Sequence, residues 1–550
     1  MKKIKITYPD GTVQEIDKGT TLLKLCQEEN NSGQPYLAAR VNNVLKDLHF
    51  SLQEDAKLEF LDLTSDDGMR IYQRSLCFLL IKAVGELFPE AKVSVEHSIS
   101  KGLYCELHQA EPITEKDVQQ IENRMRELVA QDIPFVKETV SLSEAIKLFE
   151  KEGQYDKVSL LKHRNRPHTN LYSCGWLRDY FYGYMAPSTG YLKVFELKFY
   201  MPGFILRFPE KSNPTVVPEY VEQPKLFNIF REAEKWAGIL EIKNVGSLNE
   251  QIASGNAGDL IRVSEAFHEK KIAEIADLIT KNRDQIRLIL IAGPSSSGKT
   301  TFAQRLAVQL RVNDVRPISI SLDDYFVSRD KTPLDELGEP DFEALEAIEL
   351  DLFNEHLTKL IQGSEVELPV FDFITGQREY KGRRVKIKRD QPIIIEGIHG
   401  LNDQLTTAIP RGSKFKIYIS ALTQLNIDDH NRISTTDARI IRRIVRDNQF
   451  RSNDALKTIR IWPKVRKGEE RNIFPFQENA DVMFNSHLVY ELAVLVKYAA
   501  PLLQKIDEQC PEYSEAKRLL KFLGYFLPMD DKEVPFNSII REFIGNSCFC

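Results

Sequence analysis

Apolar and polar positions change period along this chain, and the changes divide it. Residues 2–8 alternate, Pro9-Asp10-Gly11 supplies a turn, and Thr12 to Ile16 alternates again, which predicts a β-hairpin. Helical spacing follows from Thr21 to Glu29, then strands over Ala38–Val41 and Lys57–Leu61. Residues 1–63 thus form a small β-rich module. Residues 70–90 carry an amphipathic helix pattern, 95–107 a strand pair, and Thr114-Glu115-Lys116-Asp117 the capping signature of another helix. This second, α+β module runs over 64–208. Residues 209–285 combine a proline-rich polar linker (209–225) with helical spacing over Lys225–Leu240 and Ala257–Asn282. The pattern then switches. Leu288 to Ala292 is a short continuous apolar run bounded by a charge and a glycine, the mark of a strand covered on both faces in a parallel sheet. Arg316–Leu322 and residues 392–401 repeat it, so 286–500 reads as an α/β domain with a parallel sheet flanked by helices. Residues 501–550 read as a partly helical tail whose stretch 536–545 is compact enough to dock on the body.

Composition narrows the class. The chain has 550 residues, 42% hydrophobic and 28% charged, which suits several domains with full cores. A net charge of −6 argues against a wholesale nucleic-acid coat but not against a local basic patch. No apolar run approaches the roughly 18 residues that cross a bilayer, and the N-terminus alternates where a secretory signal would be apolar. Seven cysteines, an odd number with no metal-pair spacing before Cys548-Phe549-Cys550, predict free thiols and a reducing, cytoplasmic setting.

The chemistry is concentrated after the first apolar run. Gly293-Pro294-Ser295-Ser296-Ser297-Gly298-Lys299-Thr300 fits G-x-x-x-x-G-K-[ST], with Thr301 opening a helical stretch. Glycines at both ends let the backbone curl so that its N–H groups converge on phosphate oxygens, and the following helix points its positive end the same way. Lys299 is placed to reach the β- and γ-phosphates of ATP, and the Thr300 hydroxyl to hold Mg²⁺. Asp323 and Asp324 follow the next strand. A carboxylate there can accept a hydroxyl proton or help hold Mg²⁺; the plainer reading is a pair of helix caps. Glu396 ends a third strand and would orient Mg²⁺ or its waters. Arg439, Arg442, Arg443 and Arg446 fall at i, i+3, i+4 and i+7, so one helix face carries four guanidiniums. They form either a solvated face paired with Asp437 and Asp447 or a cover for a triphosphate. Arg451 and the run Lys464–Lys467 extend that surface. The basic stretch 378–389 reads as a solvated hairpin arm, or as an electrostatic funnel for ATP.

From Arg287 to about Val496 these segments resemble the uridine kinase and phosphoribulokinase group of P-loop kinases, uridine kinase most nearly. SLDDYF matches the segment that holds the family's catalytic aspartate, which implies that role for Asp323, with Tyr325 beside the nucleoside. DFEALEAIEL at 341–350 implies that Phe342 flanks the base and Glu343, where the family usually has aspartate, binds the ribose hydroxyls. VFDFITGQR at 370–378 resembles the segment that cups the base; it implies stacking by Phe371 and Phe373 and a contact from Arg378, but Gly376 replaces the histidine that reads the pyrimidine edge, which leaves base preference open. DARIIRRIVRD resembles the family's arginine lid, which implies that Arg439, Arg442, Arg443 and Arg446 close over ATP and that Arg443 offsets charge on the moving phosphoryl group. The resemblance implies a phosphotransferase with an alcohol acceptor: an ATP- and Mg²⁺-dependent nucleoside kinase of salvage metabolism, acting on the 5′-hydroxyl of uridine or cytidine.

The first two modules resemble parts of threonyl-tRNA synthetase. ITYPDGT, LAARVNNVLKDL and AKLEFL carry the likeness to its β-grasp TGS domain, and 64–208 to its editing domain. Editing in that family depends on H-x-x-x-H and on a cysteine and histidine four apart. Here Arg74, Phe78, Phe181 and Met185 stand at those places, so the resemblance implies a scaffold without its metal. A TGS domain implies an RNA or regulatory partner. The aromatic-rich run from Tyr180 to Phe208 reads as core packing, with base stacking as the alternative. Two rivals to a nucleoside kinase follow: a kinase of another small hydroxyl substrate, and an RNA- or ribosome-associated regulatory ATPase. Oligomeric state is open at this level.

Overall fold

The computed structural model describes residues 2–29, 33–336, 338–372, 375–423 and 425–549. Its C-terminal domain is built on five parallel strands in the spatial order Ile318–Ser321, Ile393–Glu396, Leu288–Ala292, Lys414–Ser420, Val482–Asn485. All five residues of the central strand are buried. Alternation along it assigns the two faces: Ile289 and Ile291 pack with the helices Ala257–Lys281 and Lys299–Val312, whereas Leu288 and Leu290 pack with Phe353, Leu357 and Leu360 of Leu350–Ile361. A continuous apolar strand is what a sheet covered on both sides requires.

The first module is a five-stranded sheet in the order Val13–Asp17, Lys3–Thr7, Ala56–Leu61, Ala38–Val41, Val44–Asp47. Its last strand is additional to the sequence reading. It exists because Asn42 and Asn43 take positive φ (48° and 60°), which closes a two-residue turn that matches strand twist. In the second module the first helix begins earlier than its apolar spacing suggests, at Asp66, because the Ser65 side chain accepts from Gly68 N–H. The helix Glu115–Ala130 starts at the capping box anticipated at Thr114. Tyr180, Phe181, Phe195 and Phe204 of the aromatic run are buried, so this part of the run packs cores. Phe78, Phe181 and Met185 share one hydrocarbon cluster, and the Arg74 guanidinium donates to the Tyr184 carbonyl at 2.6 Å.

The tail is part of the C-terminal domain. Ile539 and Phe543 are fully buried in the cluster formed by the central strand and the helix Lys299–Val312. Removing a buried aromatic ring leaves a cavity that costs about 3–5 kcal/mol. Phe543→Ala is therefore expected to lower the melting transition of the C-terminal domain by several degrees in calorimetry; an unchanged transition would show that the tail is not integral to that core.

Candidate active site

The central strand delivers the chain into the loop Gly293–Gly298, and two glycines make its shape. A Cβ on Gly293 would lie 1.9 Å from the Ile419 carbonyl oxygen, so only glycine lets the loop cross the neighbouring strand this closely. Gly298 has φ 82° and turns the chain into the helix that starts at Lys299; a Cβ there would also strike Ile539. The Lys299 ammonium donates to the carbonyls of Gly293 (2.9 Å) and Pro294 (3.2 Å), folded back over the loop it would share with a phosphate. Two loop-region amides already hold carboxylates: Ser295 N–H donates to Glu469 at 2.9 Å, and Thr301 N–H donates to Glu542 at 3.0 Å. Neither acid was apparent from sequence. Glu469 sits in a mixed-charge run and Glu542 in the tail, and no local pattern ties either to the loop.

Three adjacent strands converge on this loop. The Thr300 hydroxyl donates to Glu396, 3.0 and 3.1 Å from its two oxygens, at the end of the second strand of the set. Asp323 follows the edge strand Ile318–Ser321, and Lys299 and Arg451 act on its charge. These groups are shifted toward neutrality. Burial raises the Glu396 carboxyl to about 7; Lys299 opposes this, and the like charge of Glu542 reinforces it. Desolvation likewise raises Glu343 and lowers Lys299, and raises Asp323 although that residue is exposed at the surface. The oxygen donors Thr300 and Glu396, side by side at the loop, suit a hard divalent cation such as Mg²⁺.

The four arginines of the helix Thr435–Phe450 are not a solvated face. Arg439 and Arg442 are 1% and 0% exposed. Arg439 pairs with Glu469 and donates to the Ser295 carbonyl at 3.0 Å; Arg442 pairs with Glu491 and donates to the Ser296 carbonyl at 3.2 Å. Both support the loop from its carbonyl side and offer no surface to a nucleotide in this conformation. Arg443 donates to the Ser295 hydroxyl at 2.6 Å and to Asp447, and Arg446 pairs with Asp447. Both keep some exposure, at 11% and 12%, and Arg451 is more exposed at 57%, in contrast to Arg439 and Arg442. Asp437 turns away and pairs with Arg518 of the tail, at 2.7 and 2.8 Å. In the run Lys464–Lys467, Lys464 and Lys467 pair with Glu339 and Glu336, fastening the helix Ala455–Asn472 to the segment before Phe342.

On the acceptor side the sequence-derived residues fare differently. Tyr325 is 1% exposed, its hydroxyl hydrogen-bonded to His356 Nδ1 at 3.0 Å; it belongs to the core and presents no surface to a nucleoside. Phe342 is exposed, with Phe326 between it and Phe371 (ring centroids 6.5 and 5.7 Å from Phe326). Phe371 stands opposite Arg378 in a short antiparallel pair, and Arg378 lies 3.6 Å from Glu349. Phe373 lies outside the described residues. Glu343 packs against Gly468 and lies within reach of the charges of Glu469, Arg443 and Lys299. Gly376 has φ 69°, and a Cβ there would lie 2.9 Å from Arg329, so a residue with a side chain would be strained and crowded at this position.

A site of this build, a phosphate loop with acids at two neighbouring strand ends, is that of a P-loop phosphotransferase. Residues 288–492 match the model of the Phosphoribulokinase / Uridine kinase family, and the C-terminal region carries a domain of that family. The N-terminal region is similar to threonine–tRNA ligase. The enzyme of Desulforamulus reducens is 34% identical over 198 residues, covering 35% of this chain and 31% of the ligase. That of Pelobacter propionicus is 32% identical over 198 residues, covering 36% and 31%. The chain thus spans 31% of the length of these ligases. Among solved structures, one described as a possible uridine kinase from Bacillus stearothermophilus is 19% identical, with 39% of this chain and 100% of that chain covered, at a TM-score of 0.24.

The Glu396 shift has a measurable sign. A carboxyl whose ordinary value is 4.5 and which rises to about 7 in the fold contributes stability that is complete below 4.5 and gone once pH has passed about 7. Glu396→Gln is expected to flatten the fall of stability across that window in denaturant titrations; an unchanged slope would assign the fall to other groups.

Proposed function

We propose that this protein is an ATP-dependent nucleoside kinase that transfers the γ-phosphoryl group to the 5′-hydroxyl of uridine, and by the same geometry of cytidine, giving the monophosphate. The observation that carries the reading is the convergence of Lys299, Glu396 and Asp323 at the carboxyl ends of three adjacent parallel strands. Loop amides and Lys299 hold the phosphates once the ammonium leaves the Gly293 and Pro294 carbonyls. Thr300 and Glu396 would hold Mg²⁺, which supplies charge neutralisation at the phosphate oxygens. Asp323 takes the proton of the attacking hydroxyl. Desolvation favours the neutral form, but the residue is open to solvent and the nearby charges of Lys299 and Arg451 oppose that shift, which keeps a carboxylate available as base. Arg443, and Arg446 after release from Asp447, stabilise charge on the phosphoryl group in flight.

Glu469 and Glu542 must yield the Ser295 and Thr301 amides before phosphates can take them. This gives ATP binding an internal competitor. Gly376 supports a second reading, a kinase of a different small hydroxyl compound, since the turn has no side chain to read a pyrimidine edge.

Two outcomes follow. Asp323→Asn lowers kcat by about 10²–10⁴-fold while ATP affinity stays near that of the native chain; a small effect on turnover would remove Asp323 from the chemistry. Glu542→Gln weakens the acid's hold on Thr301 N–H and tightens ATP binding several-fold in calorimetry; weaker or unchanged binding would mean that the acid does not compete. Turnover of uridine, cytidine and small non-nucleoside alcohols, followed by ADP release, tests the acceptor. Activity with the last group alone would favour the second reading.

A further inference from the structure

A cavity of about 730 Å³ lies where the first module, the second module and the C-terminal helices meet, separate from the phosphate loop. Leu45, Ile71 and Leu520 and the rings of Tyr172, Phe181 and Phe526 give it apolar and aromatic walls, and cations are set among them. Some of these cations are neutralised: Arg70 pairs with Asp67 and Glu515, and Arg518 with Glu515 and Asp437. Others are not. Among the described residues, Arg74, Arg166, Lys517 and Lys521 form no ion pair, although all four line the cavity. Arg74 donates to the Tyr184 carbonyl and lies over the Tyr182 ring, in space that a Cβ on Gly183 would fill. Lys521 donates to the Tyr182 carbonyl. Burial, then the charges of Arg74, Arg164, Arg166 and Lys137 around it, depress the Lys521 ammonium to about 7. A hollow with unneutralised cations and aromatic walls has the composition of a site for an anion that carries a planar ring, and its volume is in the range of small-molecule sites.

We propose that this cavity is a second ligand site, specific for a free nucleotide, whose phosphates engage Lys521, Arg74, Arg166 and Lys517 and whose base lies against the aromatic wall. Its geometry gives it a route to the phosphate loop. Arg518 in its wall grips Asp437 in the first turn of the arginine helix, whose Arg439 and Arg442 hold the loop carbonyls. The site is independent of which hydroxyl compound the kinase domain phosphorylates.

Calorimetric titration of the full chain with ADP, UMP, UTP and GTP tests the proposal, with Lys299→Ala used to disable the loop. At least one of the four is expected to bind the Lys299→Ala chain at one per chain. Its affinity should fall at least tenfold in Lys299→Ala/Lys521→Gln and in Lys299→Ala/Lys517→Gln/Arg166→Gln. Unliganded melting curves that match the Lys299→Ala parent show that both variants are folded. Near pH 7.5 binding should take up a proton, seen as a dependence of the heat on buffer ionisation, because an anion beside Lys521 favours its charged form. The proposal is overturned if none of the four binds the Lys299→Ala chain, if binding is indifferent to both sets of substitutions, or if an RNA 3′ end binds there and free nucleotides do not.

Discussion

A loop that aims its backbone N–H groups at a phosphate must aim carbonyls the other way, into the protein, where each needs a donor. Here two buried guanidiniums meet that demand. Arg439 donates to the Ser295 carbonyl and Arg442 to the Ser296 carbonyl. A buried guanidinium is itself costly unless paired, so each is held by a carboxylate, Glu469 or Glu491, as buried as the arginine it meets. The constraint propagates. Glu469 fixes the helix Ala455–Asn472 and Glu491 the helix Glu491–Leu503, so that the shape of a six-residue loop sets the placement of three helices beyond it.

The electrostatics around the loop have one theme. Glu396 and Glu343 are raised and Lys299 is lowered, all by desolvation first, and the more exposed Asp323 is raised in the same sense. Each group is thus pushed toward its neutral form in a place where bound phosphates and a divalent cation would restore charge complementarity. Meanwhile the protein's own acids occupy two of the amides, one of them supplied by the tail. The tail is consequently both core, through Ile539 and Phe543, and part of the site's rim, through Glu542. Through Arg518 it also joins the arginine helix to the N-terminal modules, where Arg70 shares Glu515 with it.

The phosphate loop was legible in the sequence because everything that makes it is local: a buried strand, two glycines, a lysine and a hydroxyl in fixed register, then a helix. The strand-end acids were legible for a similar reason, since a carboxylate after an apolar run is placed by the strand itself. The arginine helix was only half legible. Its spacing put four guanidiniums on one face, but not what that face meets. Burial of Arg439 and Arg442 depends on Glu469 and Glu491, which lie 30 and 49 residues further along the chain. Tyr325 was misplaced for the same cause: its register beside Asp323 is sequence information, while the inward turn of its ring toward His356 is set by the packing of the helix Leu350–Ile361.

Sequence by itself therefore determined the glycine loop, the parallel sheet that presents it, and the carboxylates at the ends of its strands. All of these follow from periodicity and from the chemistry of neighbours in the chain. Tertiary structure alone decided which arginines face the ligand and which brace the loop, that Glu469 and Glu542 sit on its amides, and that cations from three separate segments surround one cavity. Such features depend on charges brought together across hundreds of residues. Their energies are set by burial and by the presence of a partner, which no single stretch of chain encodes.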